Sequence, residues 1–76
     1  MQVDILSPDS TLFSGEAKVV TLPGVNGSFQ IMNMHAPMIS ALAKGNVVVD
    51  NGSEKQEFPV NGGIIEVVDN KIVILA

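Results

Sequence analysis

The sequence predicts an all-β fold, a two-sheet antiparallel β-sandwich or flattened barrel, in one domain of 76 residues. Short runs in which polar and apolar residues alternate, as in strands half-buried against a core, recur along the whole chain. Clusters of Gly, Pro, Asn and Asp interrupt these runs and mark the turns between them. Eight or more short strands joined by such turns are typical of sandwiches and barrels.

The first 22 residues are expected to form two or three strands. Residues 2–5 alternate with period two, which turns Val3 and Ile5 toward the core. The Ser-Pro-Asp-Ser run at residues 7–10 predicts a turn, since Pro sets its own φ and the flanking side chains bond back to the backbone. Residues 11–22 are either one long strand or two strands broken at Gly15.

Residues 22–45 carry the densest turn chemistry and are predicted to be a structural hub or a contact surface. Pro23-Gly24 and Asn26-Gly27 predict two tight reversals, followed by a short strand at residues 28–32. His35 begins a rigid His-Ala-Pro corner and is expected to bond to loop backbone. Residues 38–43 fit either a short helix or an extended segment, and we favour the extended one.

The C-terminal half predicts two hairpins and a further reversal. Asn51-Gly52 is expected to form a two-residue type I′ turn between strands at residues 46–50 and 54–58. Asn61-Gly62-Gly63 is expected to reverse the chain again. The last hairpin, across Asp69-Asn70, is apolar on both faces, which places it centrally or under a partner. Within it, we interpret Glu66 as a polar tip at a strand edge rather than a catalytic carboxylate.

Composition excludes several classes of function. The net charge is −4, with four Lys and no Arg, so the chain lacks the basic face that nucleic-acid binding requires. No apolar run approaches the roughly 20 residues of a membrane span. An alternating strand begins at once, which leaves no room for a signal peptide. One His and no Cys predict neither a disulfide nor a metal site, and no cofactor is expected.

The low charge suggests a subunit of an assembly. Charged residues make up 16% of the chain, against about 25% in ordinary globular domains. A domain this small has much surface to cover, so part of that surface is expected to be apolar and to be covered by a partner. The alternative is a well-packed monomer with a surface rich in Ser, Asn and Gln.

Six segments together resemble a known family. They are Asp-Ile-Leu-Ser-Pro at residues 4–8, Leu-Phe-Ser-Gly-Glu-Ala at 12–17, Leu-Pro-Gly at 22–24, Gly27, His-Ala-Pro at 35–37 and Gly-Gly-Ile-Ile-Glu-Val at 62–67. In their order and spacing they resemble the epsilon subunit of F-type ATP synthases, the equivalent of the mitochondrial delta subunit. The resemblance implies an N-terminal β-sandwich domain and a noncatalytic subunit of the rotor's central stalk.

The resemblance also implies two partners and a location. The ring of c subunits would face a loop at Val25, Asn26, Gly27 and Ser28, although many members carry an acidic residue where Ser28 stands. The gamma subunit would contact Ser7, His35 and Ser40. The subunit would be peripheral to the bacterial inner (plasma) membrane, on its cytoplasmic side.

Two expectations concern what the chain lacks. Most members continue into a C-terminal helical hairpin, which has no counterpart before the chain stops at Ala76. We therefore expect the domain at residues 1–76 neither to bind ATP nor to regulate its hydrolysis. A free-standing β-sandwich module for a peptide or sugar is the alternative function, but it should display aromatic platforms, and the chain has three Phe and no Trp or Tyr.

Overall fold

A computed structural model describes all residues, 1–76, as seven β-strands without a helix. With no helix there is no helical segment long and apolar enough to cross a membrane. The all-β prediction is confirmed, but the number of strands is smaller than expected. The strands are β1 (Gln2–Leu6), β2 (Thr11–Glu16), β3 (Val19–Gly24), β4 (Gly27–Met32), β5 (Met38–Asp50), β6 (Lys55–Val68) and β7 (Lys71–Leu75).

All seven strands belong to one sheet, in the order β2-β1-β7-β6-β5-β3-β4. The sheet folds over on itself along β5 and β6, which pair antiparallel from Met38↔Val67 to Asp50↔Lys55. The first layer is the half of the sheet that contains β2, β1 and β7, together with the C-terminal half of β6 and the N-terminal half of β5 that pair beside them. The second layer contains β4, β3 and the remaining halves of β5 and β6. Because β2 and β4 are not paired with each other, the sandwich does not close into a barrel.

One pair of strands departs from the predicted antiparallel arrangement. β1 and β7 run parallel, in register from Gln2↔Lys71 to Leu6↔Leu75, so the sheet is mixed. The two strands are far apart in sequence and meet in the middle of the first layer. Alternation within a strand reports its buried face but not the direction of its neighbour, which explains why the sequence did not reveal this pair.

The strand count was wrong because β5 and β6 are each continuous where two short strands were expected. No reversal occurs at Asn61-Gly62-Gly63: β6 continues through it, with Gly62 at φ 114° and Gly63 at φ 139°. At Gly45 a Cβ would lie 2.7 Å from the Pro23 Cβ, so glycine here permits close approach of two strands rather than ending β5. These glycines let the long strands pass from one layer to the other.

The type I′ turn lies at a different hairpin from the one predicted. Asp69 and Asn70, between β6 and β7, both have positive φ, 51° and 58°, as that turn requires. At the β5–β6 connection Asn51 does not have positive φ, and the loop is four residues long between Asp50 and Lys55. The side chain of Asn51 closes this loop by accepting hydrogen bonds from the Ser53 and Glu54 amides, both 3.0 Å.

Residues 11–32 form three strands. Two reversals were expected at Pro23-Gly24 and Asn26-Gly27, and the structure has only one there. The break between β2 and β3 is at Ala17 and Lys18 rather than at Gly15, which pairs with Val3 within the sheet. Residues 23 and 24 belong to β3, and the single reversal lies between Gly24 and its partner Gly27. The predicted strand at residues 28–32 and the extended conformation of residues 38–43 are confirmed.

The core lies between the layers and is built only from hydrophobic side chains. Alternate residues of each strand point inward, so Val3 and Ile5 are fully buried as predicted. The rings of Phe13 in the first layer and Phe58 in the second meet at 5.4 Å between centroids. The other fully buried side chains from the seven strands are Val20, Leu22, Ile31, Val47, Ile65, Ile72 and Ile74.

Candidate interaction surfaces

The loop of residues 33–37, between β4 and β5, is held by hydrogen bonds to two other parts of the fold and by one bond within the loop. Asn33 Oδ1 accepts a hydrogen bond from the N-terminal ammonium of Met1, 2.8 Å, and the Met34 amide donates to Asn70 Oδ1, 2.7 Å. His35 Nδ1 lies 2.7 Å from the Ala36 carbonyl oxygen, which confirms that His35 bonds to loop backbone. The imidazole is otherwise exposed, so a fixed loop presents it to solvent.

The segment Val25 to Ser28, predicted as one loop, is a two-residue turn at Val25 and Asn26 followed by the first two residues of β4, and it lies at the other end of that strand. Val25 is 59% exposed, and Asn26, Gly27 and Ser28 are exposed as well. β4 spans six residues, which separates the turn at Val25 and Asn26 from the 33–37 loop by about 20 Å. The two loops therefore form separate surfaces at opposite ends of one strand.

The other two residues assigned to a gamma contact, Ser7 and Ser40, do not cluster with His35. Ser7 follows the last residue of β1, where its amide donates to the Ser10 carbonyl oxygen at 2.8 Å. The 33–37 loop lies beside the first residue of β1, so the length of that strand, about 17 Å, separates Ser7 from His35. Ser40 lies in β5 opposite Ile65 on the core-facing side and is half-buried.

Sequence reasoning did not locate the apolar surface on the outer face of the first layer. Paired residues of neighbouring strands lie on the same face, so the register places the side chains of Ile39, Ile64 and Leu75 together on the outside. Ile39 is 68% exposed and Leu75 53% exposed. Two signals in the sequence pointed to such a face without locating it, the low fraction of charged residues and the final hairpin, apolar on both sides. The remaining apolar members of the face are Leu6, Ala41, Val68 and Val73.

A polar cluster borders this apolar face on β1 and β2. Asp4 Oδ1 accepts hydrogen bonds from Ser14 Oγ at 2.7 Å and from Gln2 Nε2 at 3.1 Å. Lys71 Nζ lies 3.8 Å from Asp4 Oδ2. The hydrogen bond from Ser14 is the main reason that the pKa of Asp4 is lower than the ordinary 3.8, with Gln2 and Lys71 adding to the effect and burial opposing it.

Glu66 lies on the apolar face, and its position corrects the sequence interpretation. The residue is not at a strand edge, because β6 is paired on both sides, with β5 and β7. Its β5 partner Ile39 and the neighbouring Pro37, Met38 and Val68 help to line a shallow, open groove. No three His, Cys, Asp or Glu side chains lie close enough together to hold a metal ion.

Comparison with known proteins assigns the chain to a family. The family model described as the ATP synthase delta/epsilon chain, beta-sandwich domain, matches residues 1–76. The ATP synthase epsilon chain of Salinibacter ruber is 39% identical over 85 residues, covering 100% of this chain and 57% of the relative. That of Chlorobium limicola is 40% identical over 75 residues, covering 97% of this chain and 85% of the relative.

Two solved structures share the fold. One chain of the Tetrahymena thermophila mitochondrial ATP synthase central stalk and c-ring matches with a TM-score of 0.80 and 23% identity, over 97% of this chain and 60% of that chain. One chain of the Euglena gracilis mitochondrial ATP synthase matches with a TM-score of 0.89 and 21% identity, over 97% of this chain and 48% of that one. From the match of the family model along its whole length, the chain belongs to the ATP synthase delta/epsilon chain family and forms the β-sandwich domain of that family.

Proposed function

We propose that the chain acts as the noncatalytic epsilon subunit in the central stalk of a proton-translocating F-type ATP synthase. In that position it links the gamma subunit to the c-ring, so that rotation of the ring is passed to gamma and on to catalytic sites elsewhere in the complex. The observation that carries the proposal is the family match over residues 1–76. The two epsilon chains that match at 39% and 40% identity support it.

A link between two partners needs two separate contact surfaces, and the fold supplies candidates for both. The exposed loop of Val25 to Ser28 is short and contains Gly, which suits a small, hydrated contact with the c-ring. His35 is the candidate for the contact with gamma, because it is exposed on the 33–37 loop at the other end of β4 and that loop is held by hydrogen bonds. Ser7 and Ser40 belong to the same proposed gamma contact, which must then extend along the first layer to reach both Ser7 and His35.

The proposed location follows from the proposed partners. Bound to the c-ring, the chain would be peripheral to the bacterial plasma membrane and would face the cytoplasm. It would be held there through the complex rather than by insertion. The chain's own role is to position its partners and transmit rotation between them.

Binding to isolated gamma and to isolated c-ring tests the two contacts separately. His35→Glu should weaken binding to gamma, because it places a carboxylate at a contact that excludes water. Asn26→Glu should leave gamma binding unchanged and alter the affinity for the c-ring. Ser40→Glu is a weaker test, since Ser40 faces the core side of β5 opposite Ile65 and the change would also disturb folding. Failure of the parent chain to bind gamma at all would overturn the proposal.

A further inference from the structure

The three Asn-Gly pairs of the chain, at residues 26–27, 51–52 and 61–62, are the same in sequence but lie in different surroundings. An asparagine followed by glycine is prone to lose its side-chain amide, because glycine has no Cβ to obstruct attack by its own backbone nitrogen. All three Asn side chains are exposed, so access of water does not distinguish them. They differ in the hydrogen bonds and in the backbone that hold them.

The Asn51-Gly52 pair is held by hydrogen bonds on both sides of the reaction. Asn51 Oδ1 accepts bonds from the Ser53 amide at 3.0 Å, the Ser53 hydroxyl at 3.1 Å and the Glu54 amide at 3.0 Å. The Gly52 amide donates to Asp50 Oδ1 at 2.8 Å. The carboxamide that would be attacked and the nitrogen that would attack it are therefore both restrained.

Hydrogen bonds also fix the side chains of three more of the six Asn residues, Asn33, Asn46 and Asn70, which leaves Asn26 and Asn61. The backbone of Asn61 is fixed within β6, where it pairs with Lys44 of β5. Side chains of a strand stand roughly perpendicular to the sheet, so the Asn61 carboxamide is directed away from the next amide nitrogen. The two groups meet only if this part of β6 leaves the ladder.

Asn26 has neither restraint. It lies with Val25 in the two-residue turn that joins β3 to β4, outside the paired residues. A Cβ built on Gly27 would have nothing within 4 Å, so the space around the Asn26–Gly27 peptide is open and the peptide plane can rotate. Rotation requires at most that the last pair of the hairpin, Gly24 with Gly27, opens, and the ends of strands open at little cost.

We propose that Asn26 is a site of spontaneous deamidation, through attack of the Gly27 backbone nitrogen on the side-chain amide. The Gly27 nitrogen gives its proton to hydroxide and forms a bond to Asn26 Cγ. The bond between Cγ and the amide nitrogen breaks, ammonia leaves with a proton taken from water, and a cyclic succinimide remains. Water then opens the ring at one of its two carbonyl carbons, which leaves aspartate or isoaspartate at position 26.

The modification alters the turn in two ways. It adds a negative charge to a chain of net charge −4, and the isoaspartate product also lengthens the backbone of the turn by one methylene group. The turn belongs to the segment proposed to contact the c-ring. This consequence therefore rests on the proposed function, whereas the modification itself does not. We expect the modified chain to bind isolated c-ring with altered affinity, because the charge at the contact has changed.

Incubation of the folded chain at mildly alkaline pH, followed by digestion and mass spectrometry of the peptides, tests the modification. Asn26 should be converted at least about tenfold faster than Asn51 or Asn61, because those two must first give up hydrogen bonds of the loop cap or of the ladder. In guanidinium chloride that unfolds the chain, the three pairs should react at similar rates. Asn26→Gln is the control. It keeps the amide and the charge but requires a larger ring that closes slowly, so it should stay unconverted.

The outcomes separate the modification from the proposed function. If Asn26 reacts no faster than Asn51 and Asn61 in the folded chain, the proposed site is refuted. If Asn26 leads by the same factor in the unfolded chain, the fold does not select it and the structural argument fails.

Binding to isolated c-ring then compares the converted chain with Asn26→Gln incubated in parallel. Equal affinities would overturn the consequence for the c-ring contact, while the modification stands. Failure of every form to bind the c-ring, the unincubated parent included, would count against the proposed function and not against the modification.

Discussion

Replacing Gly63 by Ala should destabilise the fold more than the same change at Gly27, which also has positive φ but has room for a methyl group. Gly63 has φ 139°, which an L-residue rarely adopts, and a Cβ built on it would overlap the carbonyl oxygen of Leu75 in the neighbouring β7. Gly27 provides the matched control. Its φ is 123°, and a Cβ there would have nothing within 4 Å.

The two variants separate backbone strain from steric overlap. Strain of this kind costs about 1–3 kcal/mol, and both variants should show it. At Gly63 the strands must also move apart, which costs at least one ladder hydrogen bond, about 0.5–1.5 kcal/mol. We therefore expect a loss of about 1–3 kcal/mol for Gly27→Ala and about 1.5–4.5 kcal/mol for Gly63→Ala. A chain of this length has about 4–11 kcal/mol of stability in total.

Urea unfolding followed by circular dichroism measures both losses. With a slope of about 1 kcal/mol/M for a small domain, the midpoint of Gly63→Ala should fall about 1.5–4.5 M below that of the parent. It should also lie below the midpoint of Gly27→Ala. Equal midpoints for the two variants, or a Gly63→Ala midpoint equal to that of the parent, would refute the geometry assigned to β6 at this position.

Three further predictions concern the turn, the register and one titrating group, all measured by urea unfolding. Asp69→Val should cost about 1–2 kcal/mol, because a β-branched residue must then adopt the φ of 51° of the type I′ turn; an unchanged midpoint would contradict that turn. Ile72→Ala should cost about 2–5 kcal/mol and Val73→Ala less than about 1.5, since only Ile72 faces the core; similar losses would refute the β7 register. The pKa of Asp4 is lower in the folded chain than its ordinary 3.8, so its ionised form stabilises the fold above pH 3.8 and this contribution is lost as the pH falls below 3.8. Asp4→Asn should remove this part of the loss of stability in acid. An unaltered pH dependence of the urea midpoint would contradict the stabilising role of the Asp4 carboxylate.

The sequence predicted which segments are strands and which of their faces are buried. Val3 and Ile5 face the core because alternation with period two directly reports a half-buried strand. The final hairpin is central, as its two apolar faces indicated, since β7 lies between β1 and β6. These features depend on local pattern, which is present in the sequence itself.

Features that depend on strands far apart in the chain were not predicted. A reversal was predicted at Gly62 and Gly63 because glycine is common in turns. Glycine also permits a bend within a continuous strand, and only the pairing of β5 with β6 distinguishes the two. Asn51-Gly52 is a frequent type I′ pair, yet the Asn51 side chain caps a four-residue loop instead. The parallel pairing of β1 with β7 has no local signal at all.

The candidate contact surfaces were predicted only in part. The family resemblance predicted Ser7, His35 and Ser40 as gamma contacts, but the three residues lie apart in the structure. Ser7 follows β1, His35 lies in the 33–37 loop and Ser40 lies within β5. The apolar face around Glu66 was not found, since it depends on four strands lying side by side. The low fraction of charged residues did indicate that such a face exists, although not where it lies.

Co-purification from native membranes tests the central claim most directly. The chain, tagged in the organism that encodes it, would be isolated from detergent-solubilised membranes and the associated proteins identified and quantified. The account predicts that gamma and the c subunit are recovered with it, in the fixed proportions of a stalk complex. Recovery of the parent chain without gamma and the c subunit would contradict the claim that it belongs to the central stalk.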